Sequence, residues 1–365
     1  MALPVPTIEA QPLPAIEPTP VAAPSTEVER PKRPSGAHIT EGNSRLVAFT
    51  GMFPCIDAEG LSMLSFRQET RFAPGGELPS IKGTKARLDK IVRVGAMKRT
   101  TNMASKVVHY GITDSGIGAA WSFGHALERP DKLDNLSKSR LTHYQMIAHV
   151  AAQFASPQGF FRDSLGVEPV PIDNLVSEKM MRNSFDVVKR KLKEEIDADA
   201  SVDHRGDFGR WRNDVISSAI SAVGSGRLRW SEIVEARPAL LTLGAPQRGN
   251  TKLKAVHQPD LAVILDGDRT DSRAKNLLVE VEISKKSWEE YDAIFATLKA
   301  ELEEGSIYDR AIYFTHGTQI PSLLRRVNAG GSYNLIESGR LLILPLLHRD
   351  GAPFTFSNRV QVGGN

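Results

Sequence analysis

Three carboxylates sit inside apolar runs, where charge is expensive. Asp260 follows Pro259 at the head of the run Leu261 to Leu265, and Glu280 and Glu282 interrupt a second run, Leu277 to Ile283. Strand alternation puts Leu278, Glu280 and Glu282 on one face of that second run, with Val279, Val281 and Ile283 on the other. A charge buried without compensation is strongly disfavoured. A hard divalent cation, which takes carboxylate oxygens, is one partner that compensates it. Asp260, Glu280 and Glu282 are therefore candidate metal ligands.

A second set of residues points to phosphate. Lys82, Lys85, Arg87, Lys90, Arg93, Lys98, Arg99 and Lys106 are opposed over the same stretch only by Asp89. A dense cationic patch binds a phosphate backbone by releasing its counterions. The expected DNA-contacting residues are Lys85, Arg87, Lys90, Arg93, Lys98, Arg99 and Lys106, and the competing reading is an ordinary solvated helix face. Elsewhere the chain lacks Gly-Lys-Ser or Gly-Lys-Thr, a G-x-G-x-x-G between strand and helix, and a G-x-S-x-G elbow, which argues against an ATPase, a dinucleotide oxidoreductase and a serine hydrolase. The single cysteine, Cys55, excludes a disulfide framework and a cysteine-based zinc site and suits a cytoplasmic location. The net charge of +3 is mild, and no apolar run is long enough to span a membrane.

Both sets need elements to hold them. In the first folded stretch, Ser44 to Phe53 reads as a helix broken at Pro54, and Asp57 can cap a second helix carrying Leu61, Leu64 and Phe66. A third helix, from near Thr84, buries Leu88, Ile91 and Val92, shows Lys85, Lys90 and Arg93 outward, and ends at Gly95. Ala96 to Arg99 and Lys106 to Thr113 then form a hairpin. Asp114 is expected to cap a helix to about Leu127, with Ile117, Trp121 and Phe123 on its apolar side. Leu141 to Phe154 and Ser177 to Ile196 are amphipathic helices. His143 and His149 are six residues apart, which does not give one helical face, so they are read as packed or exposed rather than as metal ligands. Asp203 to Trp211 is expected to be a surface loop, and Arg227 to Trp230 a short strand or extended link. Ser231 then caps a helix bearing Glu232 and Glu235.

In the acid-bearing part, the two runs form a hairpin closed by the turn Asp266 to Lys275, in which Asp268 and Asp271 are turn residues rather than calcium ligands. Tyr291, Ile294, Phe295, Leu298 and Leu302 mark a helix. Arg310 to Thr315 is a strand, Ile320 to Asn328 a helix and Arg340 to Leu346 a last strand, which makes an α/β layer with a mixed sheet. His316, just past its strand, is read as a surface residue.

Two resemblances extend these readings. RLDKIVRVGAMKR followed by KVVHYGITDSG, with its leucine-bearing helix, the glycine after it and a basic first strand, resembles the recognition helix and wing of winged-helix DNA-binding domains. Such domains also pair proteins. Pro259-Asp260, a gap, then Glu280-x-Glu282 before Lys285 and Lys286 resembles the PD-(D/E)xK nuclease-like superfamily. Together the chain resembles the replication-relaxation proteins of plasmids and mobile elements over roughly residues 43–347. The superfamily resemblance implies that Asp260 and Glu280, with Glu282, hold Mg2+ or Mn2+, joined by Glu232 or Glu235 from the preceding helix. It also implies a lysine to polarise water. Glu282 stands where that lysine is expected, which leaves Lys285 or Lys286 for the role, and Lys286 completes the expected catalytic set.

The expected fold is α+β. A Pro-rich disordered leader covers 1–40, a winged helix-turn-helix domain 41–128, a helical connector 129–225, a restriction-endonuclease-like α/β domain with a central mixed sheet 226–350, and a tail 351–365. The expected function is a DNA-binding protein of a plasmid or mobile element, acting in replication or DNA processing. The alternatives are a metal-dependent DNA endonuclease and a scaffold that recruits replication or transfer proteins. The partners are double-stranded DNA and replication proteins, without a membrane.

Overall fold

The structure is a computed structural model that describes residues 39–64, 78–103, 105–125, 127, 129–198, 208–244, 256–266, 275–302 and 307–355. Residues 1–38 of the leader, Phe66, Asp268, Asp271 and the stretch 203–207 lie outside the described residues.

Local side chains start the first helices. Thr40 opens α1 (Glu41–Met52), and Asp57 caps α2 (Ala58–Ser62) by accepting from the Gly60 amide at 2.9 Å. Ser80 opens α3 (Ile81–Arg93), a turn earlier than the apolar pattern suggests, and Gly95 leaves it at φ 78°. A left-handed conformation there suits glycine, which carries no Cβ to clash. The chain then forms the antiparallel hairpin β1 (Met97–Thr101) and β2 (Val108–Ile112), with Met97 opposite Ile112. Thr113, not Asp114, caps α4 (Asp114–Ser122), which ends five residues before the expected Leu127. Its inner side is Gly116 and Ala120. Trp121 and Phe123 are 51% and 41% exposed, so the expectation that they face inward is corrected. The helix comes so close to the hairpin that a Cβ on Gly116 would stand 2.0 Å from the Ala96 carbonyl oxygen, which leaves room only for glycine.

The remaining elements are α5 (Leu141–Ala155), α6 (Arg162–Leu165), β3 (Leu175–Ser177), α7 (Glu178–Ala198), α8 (Phe208–Gly224), α9 (Trp230–Ala236), β4 (Leu243–Gly244), β5 (Val256–His257), β6 (Leu261–Val263), β7 (Asn276–Glu282), α10 (Trp288–Glu301), β8 (Tyr308–Thr315), α11 (Gln319–Gly330) and β9 (Leu341–Pro345). A mixed five-stranded sheet runs in the order β3-β6-β7-β8-β9. The first three strands pair antiparallel and the last three parallel. The stretch 129–225, expected to be a helical connector, also supplies an edge strand, β3.

Three further expectations meet the structure here. Phe208 to Trp211 is not loop but the first turn of α8. Phe208 stacks on Trp211, and the buried Arg212 donates to both carboxylate oxygens of Glu301 at 3.0 and 2.6 Å. Of the two readings of Arg227 to Trp230, the link holds for Arg227 to Arg229, with Arg229 extended, and Trp230, 2% exposed, starts α9. Ser231 is not the cap, because Glu232 accepts from the Arg229 amide at 2.7 Å while Ser231 donates to Asp266.

The sheet separates two apolar layers. Val279, Val281, Ile312 and Phe314 face α5, and the same core runs on through Leu61, Phe49 and Leu88 of the N-terminal helices. Leu278, Ala311 and Tyr313 face the other way, against α7, α9, α10 and α11. No helix among the described residues is long and apolar enough to cross a membrane.

Candidate functional site

The hairpin of β6 and β7 brings the acids together. Leu261 pairs with Val279, so Asp260, one residue before the strand, comes level with Glu280, and its Oδ2 accepts from the Val281 amide at 2.8 Å. Glu280 and Glu282 are 8% and 5% exposed on the face that carries Leu278 and Tyr313, as alternation requires.

Each acid has a basic partner. His143 Nε2, from α5, lies 3.2 Å from Asp260 Oδ1. His257 Nε2, from β5, lies 2.7 Å from Glu280 Oε1. Lys286 forms an ion pair with Glu282 from four residues downstream. Burial pushes the Asp260 carboxyl up, but the hydrogen bond and charge of His143 and the Val281 amide outweigh it and hold the group below its ordinary value. Glu280 goes the other way, because burial, helped by the Asp260 charge, outruns the pull of His257. The bases move up together. Burial opposes the cation on His143, His257 and Lys286, yet the adjoining carboxylates more than offset it in each case. An opposite charge at contact distance favours the ionised form in this way.

Asp260, Glu280 and Glu282 supply the carboxylate oxygens that magnesium or manganese takes. Every acid is already engaged by a base, and among the described residues no set of three or more His, Cys, Asp or Glu side chains is disposed to hold a metal ion. A cation taking Asp260 Oδ1 and Glu280 Oε1 would have to displace His143 and His257. The expected helix acid adds nothing here: Glu232 and Glu235 are exposed on α9, and Glu232 is committed to its cap. His316 is half-buried after β8, with its pKa lowered by that burial.

The two histidines at the cluster are what sequence reasoning missed. His143 and His149 do lie on different sides of α5, and each meets an acid there: His143 meets Asp260 and His149 meets Asp57 at 2.8 Å. No spacing rule links residue 143 to residue 260. His257, three residues before Asp260, was open to discovery from the short link that joins β5 to β6.

The basic face also sorts itself. Lys85, Lys90, Arg93 and Lys106 are exposed. Arg87 is turned inward, its Nε donating to Asn43 Oδ1 at 2.6 Å, and burial lowers its pKa. Arg99 pairs with Asp89 at 2.8 Å, and Lys98 pairs with Asp134, so Asp89 is not the only acid facing this patch. Of the seven residues expected to meet phosphate, the structure brings four to the surface without an ion pair among the described residues and engages three.

Between this N-terminal unit and the sheet lies a cavity of about 190 Å³, lined by Phe53, Tyr144, Glu178, Lys179, Arg182 and Asp260 among others. Compared with known proteins, the chain matches no family model, no curated sequence and no solved structure.

Proposed function

We propose that this chain binds duplex DNA through its N-terminal unit in the manner of a winged helix, with α3 entering the major groove and the β1–β2 hairpin lying beside it. The observation that carries this reading is the outer face of α3. It exposes Lys85, Lys90 and Arg93 next to a hairpin whose return carries the exposed Lys106. Three helices followed by a two-stranded hairpin match the order of elements in that fold, and a helix of this width fits the groove. On the replication-relaxation resemblance, we extend the reading to DNA replication or processing in a plasmid or mobile element.

The sheet domain, on this reading, grips DNA or partner proteins rather than cutting DNA. A divalent cation there would supply a polarised water and charge neutralisation at a phosphate. The engaged acids and Glu282 at the lysine position weigh against that role, although the opposition of Asp260 and Glu280 across a hairpin is what an endonuclease reading has in its favour. A scaffold is the second reading. It is supported by Trp121 and Phe123, which expose aromatic surface of the kind enriched in protein interfaces.

The deciding experiment is duplex binding by fluorescence anisotropy across a salt series. Lys90→Ala with Arg93→Ala is expected to weaken binding and to flatten the log-log salt slope by about two, roughly one for each phosphate left without its cation. Wild-type affinity and slope in a folded double variant would remove α3 from the DNA interface.

A further inference from the structure

Away from the acid cluster, a second set of titratable groups joins the N-terminal unit to the rest of the chain. Asp57, the cap of α2, accepts from the Gly60 amide and from His149 Nε2 on one oxygen, at 2.9 and 2.8 Å, and from Gln145 Nε2 on the other at 3.0 Å. Gln145 Oε1 in turn lies 3.2 Å from His109 Nε2 in the hairpin. Two residues on, Glu59 accepts from His348 Nδ1 and from the Arg349 amide, each at 3.0 Å, while the Arg349 guanidinium reaches Ser62 Oγ and the Pro79 carbonyl. Phe354 stacks on His348 and presents its edge to His149, so the two imidazole–carboxylate pairs share one ring. The titratable and charged groups around His149 are thus Asp57 and Glu59 from α2, His109 from β2, and His348 and Arg349 from the C-terminal segment.

His149 is 1% exposed, and its Nδ1 is buried without a hydrogen-bond partner. When the imidazolium loses a proton, the one with no acceptor, on Nδ1, goes to solvent, and the Nε2–H bond to Asp57 stays. Asp57 then remains as a half-buried carboxylate whose countercharge has gone, and a charge held largely out of water that loses its partner is destabilising. Water is the available replacement: it already reaches the 15% of the Asp57 side chain that is exposed, and fuller hydration of the carboxylate requires α2 and α5 to part.

We propose that the seam between α2 and α5 is a proton-controlled joint, closed while His149 is an imidazolium beside Asp57 and slackened when that charge is lost, so that the seating of the N-terminal unit on the sheet responds to pH. The directions of titration agree. Burial opposes the cation on His149, but the Asp57 charge and hydrogen bond raise its pKa above the ordinary 6.5. Asp57 is raised by burial but brought down to about 2 by His149 and the Gly60 amide. A raised imidazole pKa stabilises the closed seam fully below the ordinary value, and this is lost as pH rises through the folded value. The depressed carboxyl is lost only as pH falls toward about 2. The seam is therefore tightest in mild acid and loosens toward alkaline pH.

The test is hydrogen exchange of the full chain from about pH 5.5 to about pH 9, corrected for intrinsic rates, with the peptide covering α2 as the reporter. Protection there is expected to fall by up to about tenfold per pH unit between the ordinary imidazole value and the folded His149 midpoint, and to level off above it. His149→Gln is expected to remove this pH dependence, and His348→Gln to keep it. Imidazole NMR of the wild type supplies the answer should the His149 variant fail to fold, since the His149 resonance must titrate above its ordinary value with α2 protection following it. Flat protection over the range, a dependence that survives His149→Gln, one that vanishes with His348→Gln alone, or a His149 ring that does not titrate with α2 would each overturn the joint.

Discussion

At the acid cluster the contest is between a cation and three bases already in place. His143, His257 and Lys286 neutralise Asp260, Glu280 and Glu282 from α5, β5 and the segment after β7. Magnesium or manganese at millimolar levels is accordingly expected to shift the melting temperature of the wild type little. His143→Asn with His257→Asn frees two carboxylates, which then repel and gain from a cation. Saturating that site to about 100 times its Kd is expected to add about 2.7 kcal/mol of stability. Glu280→Gln in the same background should abolish the gain. Thermal melts with and without chelator measure all three, and a large shift in the wild type would favour the alternative reading, a metal-dependent endonuclease. Lys286→Met speaks to the same point. It should destabilise the fold, because Glu282 is left buried and unpaired, whether or not the protein binds DNA.

On α3, neighbouring basic residues have different duties, and helical phase decides which. Lys90 and Arg93 point out, whereas Arg87 reaches back to Asn43 of α1. Arg87→Ala is expected to cost about 1–3 kcal/mol of stability, from the missing charged hydrogen bond, and to leave the DNA salt slope nearly unchanged. Denaturant unfolding and anisotropy on one preparation separate the two effects, and a slope that drops without a stability loss would return Arg87 to the phosphate-binding set. The hairpin has its own sensitive point. Gly116→Ala puts a methyl group into the Ala96 carbonyl and is expected to destabilise the chain by about 2–4 kcal/mol, since backbone on both sides must shift. A neutral result in unfolding experiments would mean that α4 and the hairpin do not pack as described.

Over the whole molecule, α5 is the shared wall. From Gln145 to Ala155 it is buried throughout, with the N-terminal helices on one side and the sheet on the other, and one apolar core passes through it. At pH near 6, where the α2 seam is closed, calorimetry is expected to show one cooperative transition for the N-terminal unit and the sheet together. Two resolved transitions there would make them independent domains joined by a helix. Much of this architecture was legible in the sequence. Apolar periodicity marked α1, α3, α5, α10, β7 and α11, the Asp57 cap was readable from its place before an apolar turn, and alternation put Glu280 and Glu282 on one face, because all of these depend on neighbours in the chain. Other features were not legible for the same reason. The inward turn of Arg87, the exposure of Trp121, the edge strand β3, the helix begun by Phe208 and the pairing of His143 with Asp260 and of His149 with Asp57 depend on residues far away in sequence. The sequence by itself determined which residues carry charge into an apolar setting and which short stretches become helix or strand. Only the tertiary structure decided what compensates most of those charges, because a buried carboxylate is satisfied by whichever base packing brings within hydrogen-bond distance, and here packing brings imidazoles from α5 and β5.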